Sequence, residues 1–319
     1  MEHSKTIKKY GIGIVFDTSE IGLEKRMLEE GSVSVSFGHV EYESGTYTLR
    51  IPDNTVQEKP IEIDLTQEKT NTDVTFDIYV GKNSRIVLVE KNAVREYADF
   101  KITVHVAENA HVEYIIFQDI HSLGYRMAKY QGKVERGASL TWFDLQVGGK
   151  IAASSIETTL IAEGAEGKIH GLFFGHDTQV FDIHHVIRHQ APNTTSYMET
   201  KGLLDGHAKT VYRGLIHISK GSKKCNGSER EDTLLLSKDA QIGSVPELEI
   251  GNNDVKCSHA VTTTQVDKNK LFYFESRGIS KEVAIKQLAD AHVTSIIEKI
   301  NDQTVQTRIK EIMTAKLTV

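Results

Sequence analysis

One short corner motif recurs through the first half of this chain and limits what it can fold into. Lys82-Asn83-Ser84-Arg85, Glu108-Asn109-Ala110-His111, Arg136-Gly137-Ala138-Ser139 and Glu163-Gly164-Ala165-Glu166 share one form. Each follows one short strand-like run and precedes another. Their third residues, Ser84, Ala110, Ala138 and Ala165, are 26, 28 and 27 positions apart. A repeat of that length, made of short strands and tight turns, marks a solenoid. One rung cannot bury its own apolar face, so it must stack on the next. Lys238-Asp239-Ala240-Gln241 has the form but breaks the spacing.

The runs between corners alternate apolar and polar residues with a period of two. Examples are Val33 to Phe37, Tyr47 to Ile51, Ile61 to Leu65, Val74 to Val80, Ile86 to Glu90, Phe100 to Val106 and Val112 to Ile116. β-Branched and aromatic residues at that period predict strands. No stretch of three helical turns interrupts between 40 and about 270. A sandwich would place Asn-Gly or Asp-Gly turns between its strands. Asn226-Gly227 and Asp205-Gly206 occur, but the recurring corner is x-Gly/Asn-Ala-x. The fold expected is mainly β, a parallel β-helix.

Helix signals sit at the two ends. Thr18 or Ser19 caps a short helix over roughly 20–30, with Leu23, Met27 and Leu28 on one face and Gly31 as its stop. Ser280 caps a segment from Lys281 to about Lys299, with Ala284, Leu288 and Ala291 on one face and Val293, Ile296, Ile297 and Ile300 beside it. Asn301 or Asp302 caps a second, over about 303–316. This helical hairpin must cover something, either its own scaffold or a partner. The divisions read from the chain are an N-terminal segment, 1–31; a β-helix core, 32–270; and a helical region, 271–319.

With 39% apolar and 26% charged residues the chain is an ordinary globular protein. A formal net charge of −6 and no basic tract exclude nucleic acid as the main partner. No run reaches the ~18 apolar residues of a membrane span, and no secretory leader is read at the start. Two cysteines, Cys225 and Cys257, are too few for a disulfide framework. The cytoplasm is therefore the expected compartment, where a cysteine serves as a thiol or a metal ligand.

Cys257-Ser258-His259 is the sharpest chemical feature. In a strand, positions 257 and 259 point the same way, with Cα atoms roughly 6.5–7 Å apart. A soft thiolate beside an imidazole suits zinc, copper or an iron–sulfur cluster. A tetrahedral site needs two more ligands. Candidates are Cys225, a carboxylate such as Glu231, or the same pair from a second copy. The run holding His184, His185 and His189 puts 185 and 189 on one strand face, and reads as hydrogen-bonded scaffold. So do His170 and His176. Glu247 and Glu249 imitate a catalytic carboxylate pair, yet beside Pro246 at a rung they read as structural. The chain has no P-loop, no nucleophile elbow and no His-Glu-x-x-His. No nucleotide site is expected.

The stretch from Tyr212 to Ile279 resembles the SufB/SufD family of iron–sulfur cluster assembly proteins. The matching residues are Tyr212-Arg213-Gly214-Leu215, Pro246-Glu247-Leu248-Glu249-Ile250, Asp254-Val255-Lys256-Cys257-Ser258-His259, Leu271-Phe272-Tyr273 and Ser276-Arg277-Gly278-Ile279. The histidine run through Ala191-Pro192-Asn193 and Ser196 is similar too. The resemblance implies a right-handed parallel β-helix with a C-terminal helical region. It implies a scaffold rather than an enzyme, working with an ABC-type ATPase, SufC, docked from Leu271 to about Ala291. It implies pairing through the β-helix and hand-over of a transient iron–sulfur cluster to apo acceptor proteins. Cluster type stays open, with [4Fe–4S] among the candidates. The triplet at 257–259 is of the SufD type, and Glu231 stands where SufB carries an essential cysteine. The chain lacks the large N-terminal helical region of typical SufB and looks like the short, self-pairing SmsB form. In such a homodimer Cys257 and His259 of both copies would supply four ligands. The alternative is a SufD-like structural subunit that docks the ATPase, pairs with a SufB-like chain and holds no cluster.

Overall fold

The computed structural model describes residues 29–30, 33–65, 71–92, 96–120, 123–266 and 268–316. The chain winds into a β-solenoid of about seven turns with three helices at its C-terminal end. Each turn contributes one strand to each of two parallel sheets. Sheet I is built from strands at 46–51, 71–80, 97–106, 125–134, 151–160, 180–189, 209–218 and 241–250. Sheet II is built from strands at 61–64, 85–91, 111–118, 139–146, 166–175, 195–204, 226–235 and 256–265. Short antiparallel strands at Val40–Glu43 and Ser34–Val35 flank the first rungs.

The corners explain the repeat. Asn83, Asn109, Gly137 and Gly164 adopt φ of 54°, 58°, 63° and 74°. That left-handed turn favours Gly and Asn. The next residue in each corner, Ser84, Ala110, Ala138 or Ala165, is buried and opens a sheet II strand. Thr194 and Cys225 continue this series after Asn193 and Lys224, at φ of 57° and 56°. Ala240 belongs elsewhere. It is buried at the opposite corner and opens the sheet I strand Gln241–Ile250, which is why it breaks the spacing.

Alternation then sorts side chains inward and outward. The inward column through Tyr114, Trp142, Ile169 and Met198 is fully buried. The interior also holds charge. Arg126 is 0% exposed and donates from Nη2 to Glu90 Oε1 at 2.9 Å and to Tyr130 Oη at 2.5 Å. Tyr114 and Tyr130 hydroxyls donate to Glu90 Oε2 at 3.2 and 2.9 Å.

The first expected helix falls mostly on 20–28, outside the described residues. Its last two positions, Glu29–Glu30, form a short strand beside Thr72 and Asp73. At the other end α1 (Lys268–Ser276), α2 (Lys281–Ile297) and α3 (Gln303–Lys316) follow the last strand. α1 was not expected as a separate helix. Ser280 and Asp302 accept from the backbone N–H groups of Val283 and Val305, at 3.4 and 2.8 Å. The hairpin covers its own scaffold. Ala289, Val293, Ile296, Ile297, Ile309 and Met313 pack on the outer face of sheet II, against Ile115, Phe143, Leu172 and Leu203. Ala289 takes the buried place expected for Ala291, which is exposed. Lys316 pairs with Asp119 at 2.9 Å, and Lys299 pairs with Glu199. No helix of the described residues is long and apolar enough to cross a membrane.

Candidate metal centre at the open end of the solenoid

Among the described residues, the last rung of the solenoid has no further rung stacked on it. Among the described residues, the strands Gln241–Ile250 and Lys256–Gln265 each pair with a neighbour on one side only. Their inward positions are therefore half-buried or exposed where every earlier rung is closed.

Cys257 and His259 sit on that last strand, Lys256–Gln265, and share its inward face. The Cys257 thiol packs against the end of the main apolar core. Its nest is the bare backbone of Gly227 in the strand beneath, where a Cβ would lie 3.3 Å from Sγ. His259 is exposed. Its register partner is Glu229, which is 3% exposed. Tyr212 donates its hydroxyl to Glu229 Oε1 at 3.2 Å.

Burial pushes the Cys257 thiol above the ordinary range; the Ser258 backbone amide partly offsets this, and the Glu229 carboxylate adds to it. Burial also raises Glu229, to about 7, with the Tyr212 hydroxyl opposing and Glu231 and Glu247 reinforcing. The thiol is thus protonated at neutral pH, and a metal that binds it must expel the proton.

The other candidate ligands are placed differently. Glu231 is inward and 0% exposed. It accepts from Ser244 Oγ at 3.0 Å and from the Thr233 hydroxyl. Burial raises its pKa, and those two hydroxyls pull it back. Its register partner is Val261, four residues along from Cys257, so the two Cα atoms lie roughly 14 Å apart by strand geometry. Cys225 fills a corner. Its Sγ contacts Thr194 Oγ1 at 3.1 Å and donates to the Ala191 carbonyl at 3.4 Å. Neither residue joins the Cys257–His259 pair. Among the described residues no three His, Cys, Asp or Glu side chains converge to hold a metal ion.

The histidine run is scaffold. His185 and His189 point inward and are 0% exposed. His185 Nε2 meets Asp144 Oδ2 at 3.0 Å; His189 bridges Thr194 and Ser196 hydroxyls at 2.7 and 2.8 Å. His184 takes the other face and is half-buried. His170 is buried against Phe143, and burial lowers its pKa to about 4. His176 contacts Asp177 at 2.9 Å. Glu249 is exposed and contacts His217 at 2.9 Å. Sequence reasoning missed Glu229 and its supports. The signal was the shared inward parity of 229 and 259, but it needed the pairing register.

Residues 65–292 match the family model described as SUF system FeS cluster assembly, SufBD core domain. The chain is 28% identical over 199 residues to the iron-sulfur cluster assembly SufBD family protein of Mycobacterium tuberculosis strain H37Rv, covering 62% of this chain and 24% of that one. It is 28% identical over 187 residues to the SufBD family protein of Staphylococcus epidermidis, covering 59% and 40%. With that of Staphylococcus saprophyticus it shares 29% over 187 residues, again 59% and 40%. The matched part spans less than half the length of each of these relatives. A two-sheet solenoid over the matched residues and a family match across most of the chain agree: this chain belongs to the SufBD family.

Proposed function

We propose that the chain is an iron–sulfur cluster assembly scaffold that holds its cargo at the open end of the solenoid. The observation that carries this reading is the placement of Cys257 and His259 on the inward face of the one uncovered rung. One chain offers two donors there, and an iron–sulfur cluster takes four protein ligands. A second copy, laid against the free strand edges, supplies the other two. The cluster is built there and passed to apo acceptor proteins. In Cys257→Ser and His259→Ala, each reconstituted anaerobically with iron and sulfide, the cluster's visible and Mössbauer signals are expected to vanish. Retention in both rejects the site.

An ABC-type ATPase of the SufC kind drives the cycle, docked on α1 and the start of α2. The apolar face of the hairpin is already used on sheet II, which leaves the aromatics of α1. Phe272 is 72% exposed and Tyr273 57%, with Val283 nearby in sequence at 48%. Exposed aromatics of this kind carry interfaces, at about 2 kcal/mol or more each. Phe272→Ala with Tyr273→Ala is expected to weaken ATPase binding at least tenfold by calorimetry, with the melting temperature unchanged. Parent-like affinity removes α1 from the interface.

A second reading is favoured by Glu231. A buried, hydrogen-bonded carboxylate in place of a cysteine supports a SufD-like subunit that docks the ATPase, partners a SufB-like chain and carries no cluster. Reconstitution of the chain alone distinguishes the two, since this reading expects no cluster without the second chain.

A further inference from the structure

Glu229 interrupts an otherwise apolar column. In register, the column runs Tyr114, Trp142, Ile169, Met198, Glu229 and His259. Packing alone does not explain a carboxylate one rung below the open end. Its Oε2 is buried and has no hydrogen-bond partner. A buried acceptor left unmade is costly, so a donor is expected to serve it. The carboxylate is also held in place. A Cβ on Gly214 would lie 1.5 Å from Glu229 Oε1, so the group rests directly on that glycine's backbone. Tyr212 fixes the same oxygen from the side at 3.2 Å. The residue opposite on the next strand is His259, at an inter-strand spacing of about 4.8 Å.

We propose that Glu229 is a positioning residue for the His259 imidazole: its unpartnered oxygen accepts one ring N–H and so directs the other ring nitrogen to the metal. This rests on the reading of Cys257 and His259 as cargo ligands and adds to it the group that orients one of them. A metal-binding histidine donates its second N–H to a carboxylate or carbonyl, which fixes the tautomer and strengthens the ligand. Glu229 is not itself a ligand here. It stands beside His259 in register, on the strand one before the opening.

The test uses the full chain and cobalt(II), read through the thiolate-to-cobalt charge-transfer absorption. Glu229→Gln keeps shape but removes the charged acceptor, and is expected to weaken cobalt binding about 10–100-fold. Gly214→Ala leaves both ligands and the carboxylate in the chain but displaces the carboxylate, and is expected to do the same. Nitrogen-15 NMR of His259 in the zinc-loaded parent is expected to show one dominant tautomer that becomes a mixture in zinc-loaded Glu229→Gln. Binding within twofold of the parent, or a mixed tautomer in the parent itself, overturns the inference. Cys257→Ser and His259→Ala belong in the same titration. If they leave cobalt binding intact, the ligand reading fails first; if they abolish it while Glu229→Gln does not, only the role of Glu229 fails.

Discussion

Glu90→Ala is expected to cost about 3–5 kcal/mol of folding stability, the range for stranding one member of a buried ion pair. Arg126 lies wholly inside the solenoid, and its charge-balancing contact is Glu90. Two of its nitrogens, Nε and Nη1, already lack a hydrogen-bond partner. Removing the carboxylate would also leave the hydroxyls of Tyr114 and Tyr130 without that acceptor. Phe100 lies beside the guanidinium, whose carbon is 5.1 Å from the ring centre. Glu90→Leu combined with Arg126→Met removes both charges and keeps the volume. That pair of changes is expected to recover part of the loss, since the two apolar groups need no partner while the Tyr114 and Tyr130 hydroxyls stay without their acceptor. Urea unfolding of parent, single and double variants measures both effects. A single change costing under about 1 kcal/mol would mean that the pair is hydrated in solution, at odds with its burial.

This ion pair also shows where sequence reading stops. Period-two alternation encodes which face a side chain takes, so the inward set, Cys257 and His259 included, was legible residue by residue. The corners were legible while they kept Ala or Ser after a left-handed residue. They ceased to be so where Thr194 and Cys225 took that place. Cys225 therefore looked like a candidate ligand, when its chain position is that of Ala110 and Ala138. Which residues meet across rungs depends on the residue count per turn. Equivalent inward positions Leu140, Gly167, Ser196, Gly227 and Cys257 are 27, 29, 31 and 30 apart. A shift of one reverses every face. Glu90 with Arg126, and Glu229 with His259, are thus properties of the register and not of any local pattern. The hairpin's caps were readable, but not the surface it covers, because an apolar stripe carries no address.

His189 should make the acid stability of the chain fall in a window that one substitution can isolate. Burial, with a smaller effect from His217, lowers its pKa from 6.5 to about 4. In the folded chain the ring stays neutral between the Thr194 and Ser196 hydroxyls. In the unfolded chain it takes up a proton below about 6.5. The unfolded state therefore binds more protons between pH 6.5 and 4, and stability falls as pH drops through that range. The loss amounts to about 3 kcal/mol at most and is complete below pH 4. His170 moves in the same direction, to about 4. Asp182, raised to about 6, and Glu229 oppose both, since folded carboxyls that hold their protons favour the acid side. The parent's own pH profile therefore mixes opposed contributions, and a difference between two proteins isolates this one. His189→Gln is less stable than the parent at pH 7, where it loses shape and hydrogen bonds. That gap is expected to narrow by up to about 3 kcal/mol on going to pH 4, because the parent alone suffers the protonation penalty at this site. Urea midpoints of both proteins at pH 7, 5.5 and 4 measure it. A gap that stays constant across the three would mean that His189 protonates in the folded chain as readily as in the unfolded one.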